Sequence, residues 1–365
     1  MFMRHLILLI LGLSLSCVSA QNAPVDLAPF YSPPAQFRND FGKFKTPLQF
    51  DDGQRVTNAA EWNARRQEIL KTWHRIMGPW PELLTSPKLE YLSRSNREDF
   101  VEEQVRMEIA KDQSVLGYLL SPLGTNRPLP AVLIPFYEPE TSIGRGKPFL
   151  DFGRQLTRRG FVTLSIGSPG GDAWKPDRAG AICQPLSFLG YIAANCHTIL
   201  AKIPYVDAKR IGILGHSYGG KWAMFGSCLY DKFACAVWCD PGIVWDETRS
   251  NVNYWEPWYL GLDPATTRKP GIPTPTNPRT GAYKVLVETG HDLHELHALM
   301  APRPFLVSGG SEDPPERWQA LNQSVAVNAL LGYTNRVAMT NRKNHTPTAE
   351  SNDQIVAFFE QWLKQ

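Results

Sequence analysis

Residues 215–219 read Gly-His-Ser-Tyr-Gly, which fits the G-x-S-x-G pattern of a serine nucleophile held in a sharp turn. The apolar stretch at residues 210–214 before it is typical of a buried strand, and residues 219–229 after it have helical spacing. A turn between strand and helix places the Ser217 hydroxyl where unpaired helix N–H groups stabilise the negative charge of an attacked carbonyl oxygen. The pattern therefore predicts Ser217 as the nucleophile of an acyl-transfer reaction.

A base must take the proton of this hydroxyl, because a serine hydroxyl is by itself a weak nucleophile. His345 lies between a strand expected at residues 336–340 and a final helix expected at residues 351–363. In the α/β-hydrolases the chain order is serine, acid, histidine, with the histidine after the last strand. No other histidine after Ser217 occupies such a position, so we predict His345 as the base.

An acidic side chain must orient the imidazole and stabilise the imidazolium that forms. Asp313 follows the strand expected at residues 304–308 in a G-x-x-D pattern, and it is the acid that we expect. Its neighbour Glu312 is one alternative. Asp240, directly after the preceding strand, and Glu247 beyond it are the others.

An oxyanion hole needs two backbone N–H donors near the attacked carbonyl. The residue after the nucleophile, Tyr218, is the expected first donor. The loop after a strand expected at residues 131–135 supplies the second, and Phe136 or Tyr137 is the natural choice.

Strands and helices alternate from about residue 100 onward, which predicts an α/β-hydrolase fold with a mostly parallel eight-stranded sheet and helices on both faces. We expect a catalytic domain over residues 100–365 with a cap insertion at about 241–289. Residues 21–99 are expected to be an N-terminal extension packed on it, with one helix near 59–77. The expected strands are 101–110, 115–120, 131–135, 161–166, 210–214, 233–239, 304–308 and 336–340, the first two antiparallel.

The first twenty residues are typical of a signal peptide, which predicts a secreted or periplasmic protein. Arg4 supplies the positive start, residues 6–15 the apolar stretch and residues 18–20 a small-residue cleavage site. The apolar stretch is too short for a transmembrane span. A lipoprotein anchored through Cys17 is the less favoured alternative.

Composition excludes some other classes. The 365 residues carry a formal net charge of +3 with 20% charged residues, which does not indicate a nucleic-acid-binding protein. Five cysteines remain after cleavage, and their spacing indicates no metal site. We expect neither a metal nor an organic cofactor; disulfide pairing and oligomeric state stay open.

Residues 215–221, Gly-His-Ser-Tyr-Gly-Gly-Lys, and residues 292–304 resemble the glucuronoyl esterases and related secreted carbohydrate esterases. The resemblance implies hydrolysis of polysaccharide esters and a sugar-contacting role for Lys221. Those enzymes carry arginine directly after the serine, where this chain has Tyr218, so the expectation extends to polysaccharide esters in general. His294 is expected to be structural.

Aromatic residues in loops at the carboxyl edge of the sheet are candidate sugar contacts, because flat rings suit sugar faces. The expected function is a serine esterase that removes acetyl, methyl or glucuronoyl ester groups from a polysaccharide or oligosaccharide. A secreted peptidase similar to the prolyl oligopeptidases is the alternative, and a non-catalytic scaffold is a third class. The candidate aromatic residues are Trp174, Trp245, Trp255 and Trp258.

Overall fold

The computed structural model describes residues 25–97, 99–124 and 127–365. The expected signal peptide, and Cys17 within it, therefore lie outside the described residues. Among the described residues no helix is both long and apolar enough to cross a membrane.

A nine-stranded sheet forms the centre of the molecule, with the strand order β1-β2-β3-β5-β4-β6-β7-β8-β9. The first three strands pair antiparallel with one another and β3 pairs antiparallel with β5, whereas the other six strands run parallel. The mostly parallel α/β sheet was predicted correctly. The strands are β1 (Leu89–Arg97), β2 (Phe100–Ala110), β3 (Gln113–Pro122), β4 (Leu129–Pro135), β5 (Val162–Ile166), β6 (Val206–His216), β7 (Cys235–Cys239), β8 (Phe305–Gly309) and β9 (Val337–Asn341).

The sheet has one strand more than the eight expected. Strand β1 lies at the edge, and most of its residues are exposed and polar. Polar side chains of this kind are common on edge strands, because they discourage pairing with other chains. They also remove the apolar alternation by which a strand is identified in a sequence, and β1 forms by pairing with β2.

The parallel strands are buried because helices cover both faces of the sheet. All residues of β4, β5, β7 and β8 are buried, as the short apolar runs in the sequence predict. The helices are α1 (Ala59–Met77), α2 (Phe152–Arg158), α3 (Pro185–Lys202), α4 (Tyr218–Leu229), α5 (Gly281–Glu288), α6 (His294–Ala298), α7 (Trp318–Leu330) and α8 (Ala349–Leu363).

Helix α1 joins the N-terminal region to the main hydrophobic core. Its first turn is capped by Asn58, whose side chain accepts the Glu61 N–H at 3.0 Å. Trp73 is fully buried in the core shared with α3, α4 and the sheet, and its indole N–H donates to Glu295 of α6 at 2.8 Å. The helix ends at Gly78, whose φ of 88° an L side chain rarely adopts.

Replacement of Trp73 by alanine is expected to lower the free energy of unfolding by about 3–5 kcal/mol, because it leaves a large cavity in the core. It also leaves the buried Glu295 carboxylate without this donor. Urea unfolding followed by circular dichroism would measure the change. The exposed Tyr91 of β1 is the matched control, and equal losses for Tyr91→Ala and Trp73→Ala would contradict the core role of α1.

The long segment between β7 and β8 is mostly irregular and contains α5 and α6. Tyr254 packs against Phe225 of α4, with ring centroids 6.3 Å apart, and Tyr259 lies 6.2 Å from Tyr218. Within the segment, Arg268 and Glu256 form a nearly fully buried ion pair at 3.3 Å. The two ring contacts fix the segment against α4, and the ion pair stabilises the segment internally.

All five cysteines of the described residues are free thiols buried in the core. The burial raises their pKa values, since the thiolate loses its hydration, so the thiols stay protonated and unreactive at neutral pH. They act as small apolar side chains here.

Candidate active site

Ser217 lies in a strained turn between β6 and α4. Its φ of 53° and ψ of −113° are rare for a residue with a side chain, and its N–H donates to the Cys239 carbonyl at 2.9 Å. A Cβ at Gly215 would lie 1.9 Å from the Gly219 carbonyl oxygen, and one at Gly219 would lie 2.1 Å from the Pro135 oxygen. Both glycines are therefore required by close backbone approach, and the serine has the elbow geometry that the motif predicts.

His345, in the loop after β9, contacts a carboxylate through Nδ1. The partner is Asp240, whose Oδ2 lies 2.6 Å away. Asp240 follows β7 directly, is completely buried and has a φ of 52°. Its carboxylate also accepts three backbone N–H groups of the loop after β8, from Gly310, Glu312 and Asp313, at 2.7, 3.1 and 2.8 Å. Asp240 is therefore held in one orientation with its charge directed at the imidazole.

The expectation that Asp313 contacts the histidine is not met in the structure. The Asp313 carboxylate turns the other way and accepts the N–H groups of Gly242 and Ile243 at 2.8 and 2.6 Å. The two loops thus exchange hydrogen bonds, each aspartate binding the backbone of the other loop. Because the ends of β7 and β8 are adjacent at the edge of the sheet, sequence order alone did not decide which carboxylate reaches the imidazole.

The two other acidic alternatives also point away from His345. Glu312 accepts a hydrogen bond from Asn251 at 3.2 Å, and Glu247 binds Arg279 at 2.5 Å and the Tyr283 hydroxyl at 3.0 Å. The hydrogen-bond partners of both carboxylates are groups other than the imidazole.

Burial and the neighbouring charge of Asp240 raise the pKa of Asp313 to about 7. Arg317, whose Nε lies 3.7 Å from the Asp313 carboxylate, acts in the opposite direction. Negative charge on Asp240 therefore disfavours negative charge on Asp313, because both carboxylates are buried at this edge of the sheet.

His216, the residue before the nucleophile, packs beside the base. Its ring centroid lies 4.6 Å from that of His345, and it stacks on Phe136 at 6.4 Å. Burial, reinforced by the nearby His345, lowers the pKa of His216 well below its usual range, so that its ring is neutral. His216 belongs to the G-x-S-x-G motif, but its place there predicted no role for its side chain.

Arg342 holds the loop that carries His345. Its guanidinium donates to the carbonyl oxygens of Ser308 and Gly309 at 2.8 and 3.0 Å, and to those of His345 and Thr346 at 2.5 and 3.0 Å. These bonds tie the histidine loop to the end of β8. No pattern in the sequence identified Arg342, because most of its partners are backbone carbonyl oxygens.

The hydrogen bonds of the backbone N–H groups near Ser217 show which of the expected oxyanion donors are free. Tyr218 is the first residue of α4, so its N–H has no partner within the helix. The Phe136 N–H donates to the Ile166 carbonyl at 3.0 Å and is not available, which excludes it as a donor. The Tyr137 N–H has no acceptor among the described residues, and the Tyr137 ring stacks on Tyr218 at 4.7 Å. Tyr218 and Tyr137 are therefore the donors that this loop arrangement leaves free.

Ser217 and His345 open into the same cavity, which has a volume of about 390 Å³. Its wall combines apolar side chains with a few polar ones, as in many small-molecule sites. The cavity is lined by Phe136, Tyr137, Glu138, Thr141, Gly146, Lys147, Leu150, His216, Ser217, His345 and Thr346.

Of the four candidate tryptophans, only Trp174 lies beside this cavity. It is 59% exposed and stacks on Tyr137 with ring centroids 5.8 Å apart. Trp255 is completely buried in the core, so it cannot contact a ligand. Trp258 is half-buried against Tyr259, and Trp245 lines a different cavity.

Lys221 does not reach the cavity that contains Ser217. It is 2% exposed, and its ammonium donates to the carbonyl oxygens of Pro241 and Asn251 at 2.8 and 3.0 Å. The ammonium also lies 5.1 Å from the centre of the Tyr254 ring, within range of a cation–π interaction. In this structure the buried ammonium of Lys221 links α4 to the segment after β7.

The buried Lys221 should make the free energy of unfolding depend on pH in the alkaline range. Burial lowers its pKa from 10.5 to about 8, so between pH 8 and 10.5 the unfolded chain binds a proton that the folded chain does not. The free energy of unfolding of the wild type should therefore rise with pH in this window, relative to Lys221→Met, by about 1–3 kcal/mol. Urea unfolding of both proteins at pH 7.5 and pH 10 measures it, and a pH-independent difference between them would contradict it.

No group of three or more histidine, cysteine, aspartate or glutamate side chains in residues 25–97, 99–124 and 127–365 is arranged to hold a metal ion. The site brings together the Ser217 hydroxyl, the His345 imidazole, the buried Asp240 carboxylate and two free backbone donors.

The central parallel sheet, the serine elbow after β6 and the histidine after the last strand define an α/β-hydrolase fold. Residues 193–365 match the model of the prolyl oligopeptidase family. A comparison with curated proteins found no match to this sequence.

Several solved structures share the fold over most of the chain. A glucuronoyl esterase from Solibacter usitatus is similar with a TM-score of 0.69 and 17% identity, covering 88% of this chain and 98% of that one. A promiscuous CE15 esterase from a marine bacterial metagenome has a TM-score of 0.66 and 16% identity, covering 88% and 97%. A putative acetyl xylan esterase from Bacteroides fragilis has a TM-score of 0.56 and 16% identity, covering 84% and 81%. At these identities the likeness establishes the fold.

Proposed function

We propose that this protein is a secreted serine esterase that hydrolyses ester groups on polysaccharides. The observation that carries the proposal is the contact of His345 with the buried Asp240 beside a serine elbow, in a cavity that both Ser217 and His345 line. The similarity to glucuronoyl and acetyl xylan esterases supports the substrate class, and the N-terminal twenty residues support export.

In the proposed reaction, Ser217 Oγ attacks the ester carbonyl while His345 takes its proton. Asp240 keeps the imidazole oriented and stabilises the imidazolium. The N–H groups of Tyr218 and Tyr137 bind the oxyanion of the tetrahedral intermediate. The protonated His345 then gives its proton to the leaving alcohol, an acyl-enzyme remains, and a water activated by the same histidine releases the acid.

The size and the polar lining residues of the cavity favour an ester on a sugar over a long acyl chain. A volume of about 390 Å³ suits a small ligand, and the polar residues Glu138, Thr141 and Lys147 are among those that line it. Trp174, exposed beside Tyr137, provides a flat surface for a neighbouring sugar ring. The proposed esters are the acetyl, methyl and glucuronoyl esters of polysaccharides.

A serine peptidase is the second candidate, favoured by the match of residues 193–365 to the prolyl oligopeptidase family. Among the described residues, the chain before β2 forms α1, short turns and the edge strand β1 rather than a separate β-sheet domain of the kind that such peptidases usually carry. The esterase is therefore the better-supported proposal.

The test is hydrolysis of a panel of substrates by the purified protein and its Ser217→Ala variant. The panel contains p-nitrophenyl acetate, acetylated xylan, methyl-esterified pectin, a glucuronate ester and a prolyl peptide. Serine-dependent release of acid from a polysaccharide ester would support the proposal. Cleavage of the peptide alone, or no serine-dependent hydrolysis of any substrate, would overturn it.

A further inference from the structure

A second cavity, of about 360 Å³, lies between the N-terminal segment at residues 43–45 and the segment that joins β7 to β8. It shares no lining residue with the cavity that contains Ser217. The proposed reaction uses none of its side chains, so its composition has to be explained separately.

One buried polar atom in the wall of this second cavity has no partner. His294 is 1% exposed, and its Nε2 lies 2.7 Å from the Lys45 carbonyl oxygen, to which it must donate a proton. Nδ1 is then an acceptor, because burial keeps the ring neutral by lowering the pKa of His294. Among the described residues nothing donates to this atom. Because His294 is a lining residue of this cavity, its unpartnered Nδ1 is a candidate acceptor for a ligand hydroxyl or amide.

The charges of the second cavity favour an anionic ligand. Arg279 and Glu247 neutralise each other at 2.8 Å. The remaining ammonium groups, of Lys43 and Lys45, have no carboxylate within salt-bridge distance among the described residues, and the remaining acid is Asp292. Burial raises the pKa of Asp292 to about 7 although Lys43 acts in the opposite direction, so among the lining residues two lysines face a single unpaired carboxyl group.

Aromatic rings complete the wall. Trp245 is fixed by its indole N–H, which donates to the His291 carbonyl at 2.7 Å, and by the edge-on packing of Tyr283 at 5.2 Å. Phe44 lies across from them on the N-terminal segment and packs on His294 at 5.1 Å. Rigid aromatic rings beside hydrogen-bonding groups can stack on a sugar ring while its hydroxyl groups are recognised.

We propose that this second cavity binds an acidic sugar residue of the polysaccharide, apart from the place where the ester is cleaved. Lys43 and Lys45 bind the carboxylate, the Nδ1 of His294 accepts a hydrogen bond from a sugar hydroxyl, and Trp245, held in place by the buried Tyr283, contacts the ring. The inference rests on the proposed action on polysaccharides, and it adds a second point of attachment for the chain that carries the ester.

The test is calorimetric binding to the Ser217→Ala protein, which cannot turn over the ligand. The probes are a glucuronic-acid-substituted xylo-oligosaccharide and the same oligosaccharide without the acid. We expect the acidic probe to bind at least about tenfold more tightly than the probe without the acid. When Lys43→Gln and Lys45→Gln are both added to the Ser217→Ala protein, this difference in affinity should disappear. The matched control is Lys209→Gln, an exposed lysine near the start of β6 that lines neither cavity, which should leave the affinity unchanged.

Thermal unfolding of the double variant checks that it is folded, and a crystal structure with the acidic probe shows where the probe lies. Equal binding of the two probes, no binding, affinity that survives the double substitution, or a probe seated elsewhere would each overturn the inference. The esterase proposal is tested independently of these binding measurements, by hydrolysis of the substrate panel by the wild type. A wild type without esterase activity whose Ser217→Ala form binds the acid through Lys43 and Lys45 would overturn only the proposed function.

Discussion

Replacement of Ser217 by alanine is expected to lower kcat/KM for p-nitrophenyl acetate by at least about 10⁴-fold, because no other group can form the acyl-enzyme. Alanine keeps the small side chain that the strained turn requires, so the fold and the cavity should be preserved. Residual hydrolysis should come only from the oxyanion donors and from binding. The measurement is steady-state hydrolysis at enzyme concentrations high enough to detect the residual rate.

The control for this variant is Ser95→Ala, an exposed serine on the edge strand β1 at the far side of the sheet. It makes the same chemical change outside the site and should retain the wild-type rate. An active Ser217→Ala protein would remove the nucleophile assignment. A Ser217→Ala protein with a lowered unfolding temperature would show instead that the hydroxyl supports the turn.

Replacement of Asp240 by asparagine is expected to lower kcat by about 10⁴-fold, the size of effect known when the acid of a serine protease triad becomes an amide. The amide can present its NH₂ group to Nδ1 of His345, which selects the wrong tautomer, and it cannot stabilise the imidazolium by charge. The decrease should appear in kcat more than in KM, because Asp240 is completely buried. Kinetics on p-nitrophenyl acetate measures both constants.

The matched comparison is Asp313→Asn, which makes the same change in the neighbouring loop. Its amide oxygen can still accept the Ile243 N–H, now bonded at 2.6 Å, so we expect a loss of stability and a decrease in kcat of no more than about 100-fold. The ratio of the two effects decides which carboxylate serves the histidine. A larger decrease for Asp313→Asn would assign the role to Asp313, as its position in the sequence first indicated.

Local patterns predicted much of the site because they follow from backbone constraints. The glycines at 215 and 219 mark the elbow, since any side chain there would collide with a backbone carbonyl. His345 was recognised from its place after the last strand. The helix at residues 59–77 was predicted correctly because its helical spacing and the proline-rich residues 78–81 that end it both act over a few residues.

Other features depended on partners that are distant in the sequence. Strand β1 lacks an apolar pattern and exists through its pairing with β2. Lys221, expected to contact a sugar, is instead covered by the segment after β7, with both of its hydrogen bonds to carbonyl groups of that segment. Arg342 holds the His345 loop through main-chain oxygens, which leave no trace in the side-chain sequence.

The sequence by itself determined the parallel α/β architecture, the serine elbow and the histidine after the last strand, because these depend on local spacing and chain order. Only the tertiary structure decided that Asp240 contacts His345, since β7 and β8 end side by side and two aspartates compete for one place. It also decided that the Phe136 N–H donates to the Ile166 carbonyl of β5, whereas the Tyr137 N–H stays free. Such choices depend on contacts between residues of different loops, and the spacing of residues along the sequence does not give the distances between those loops.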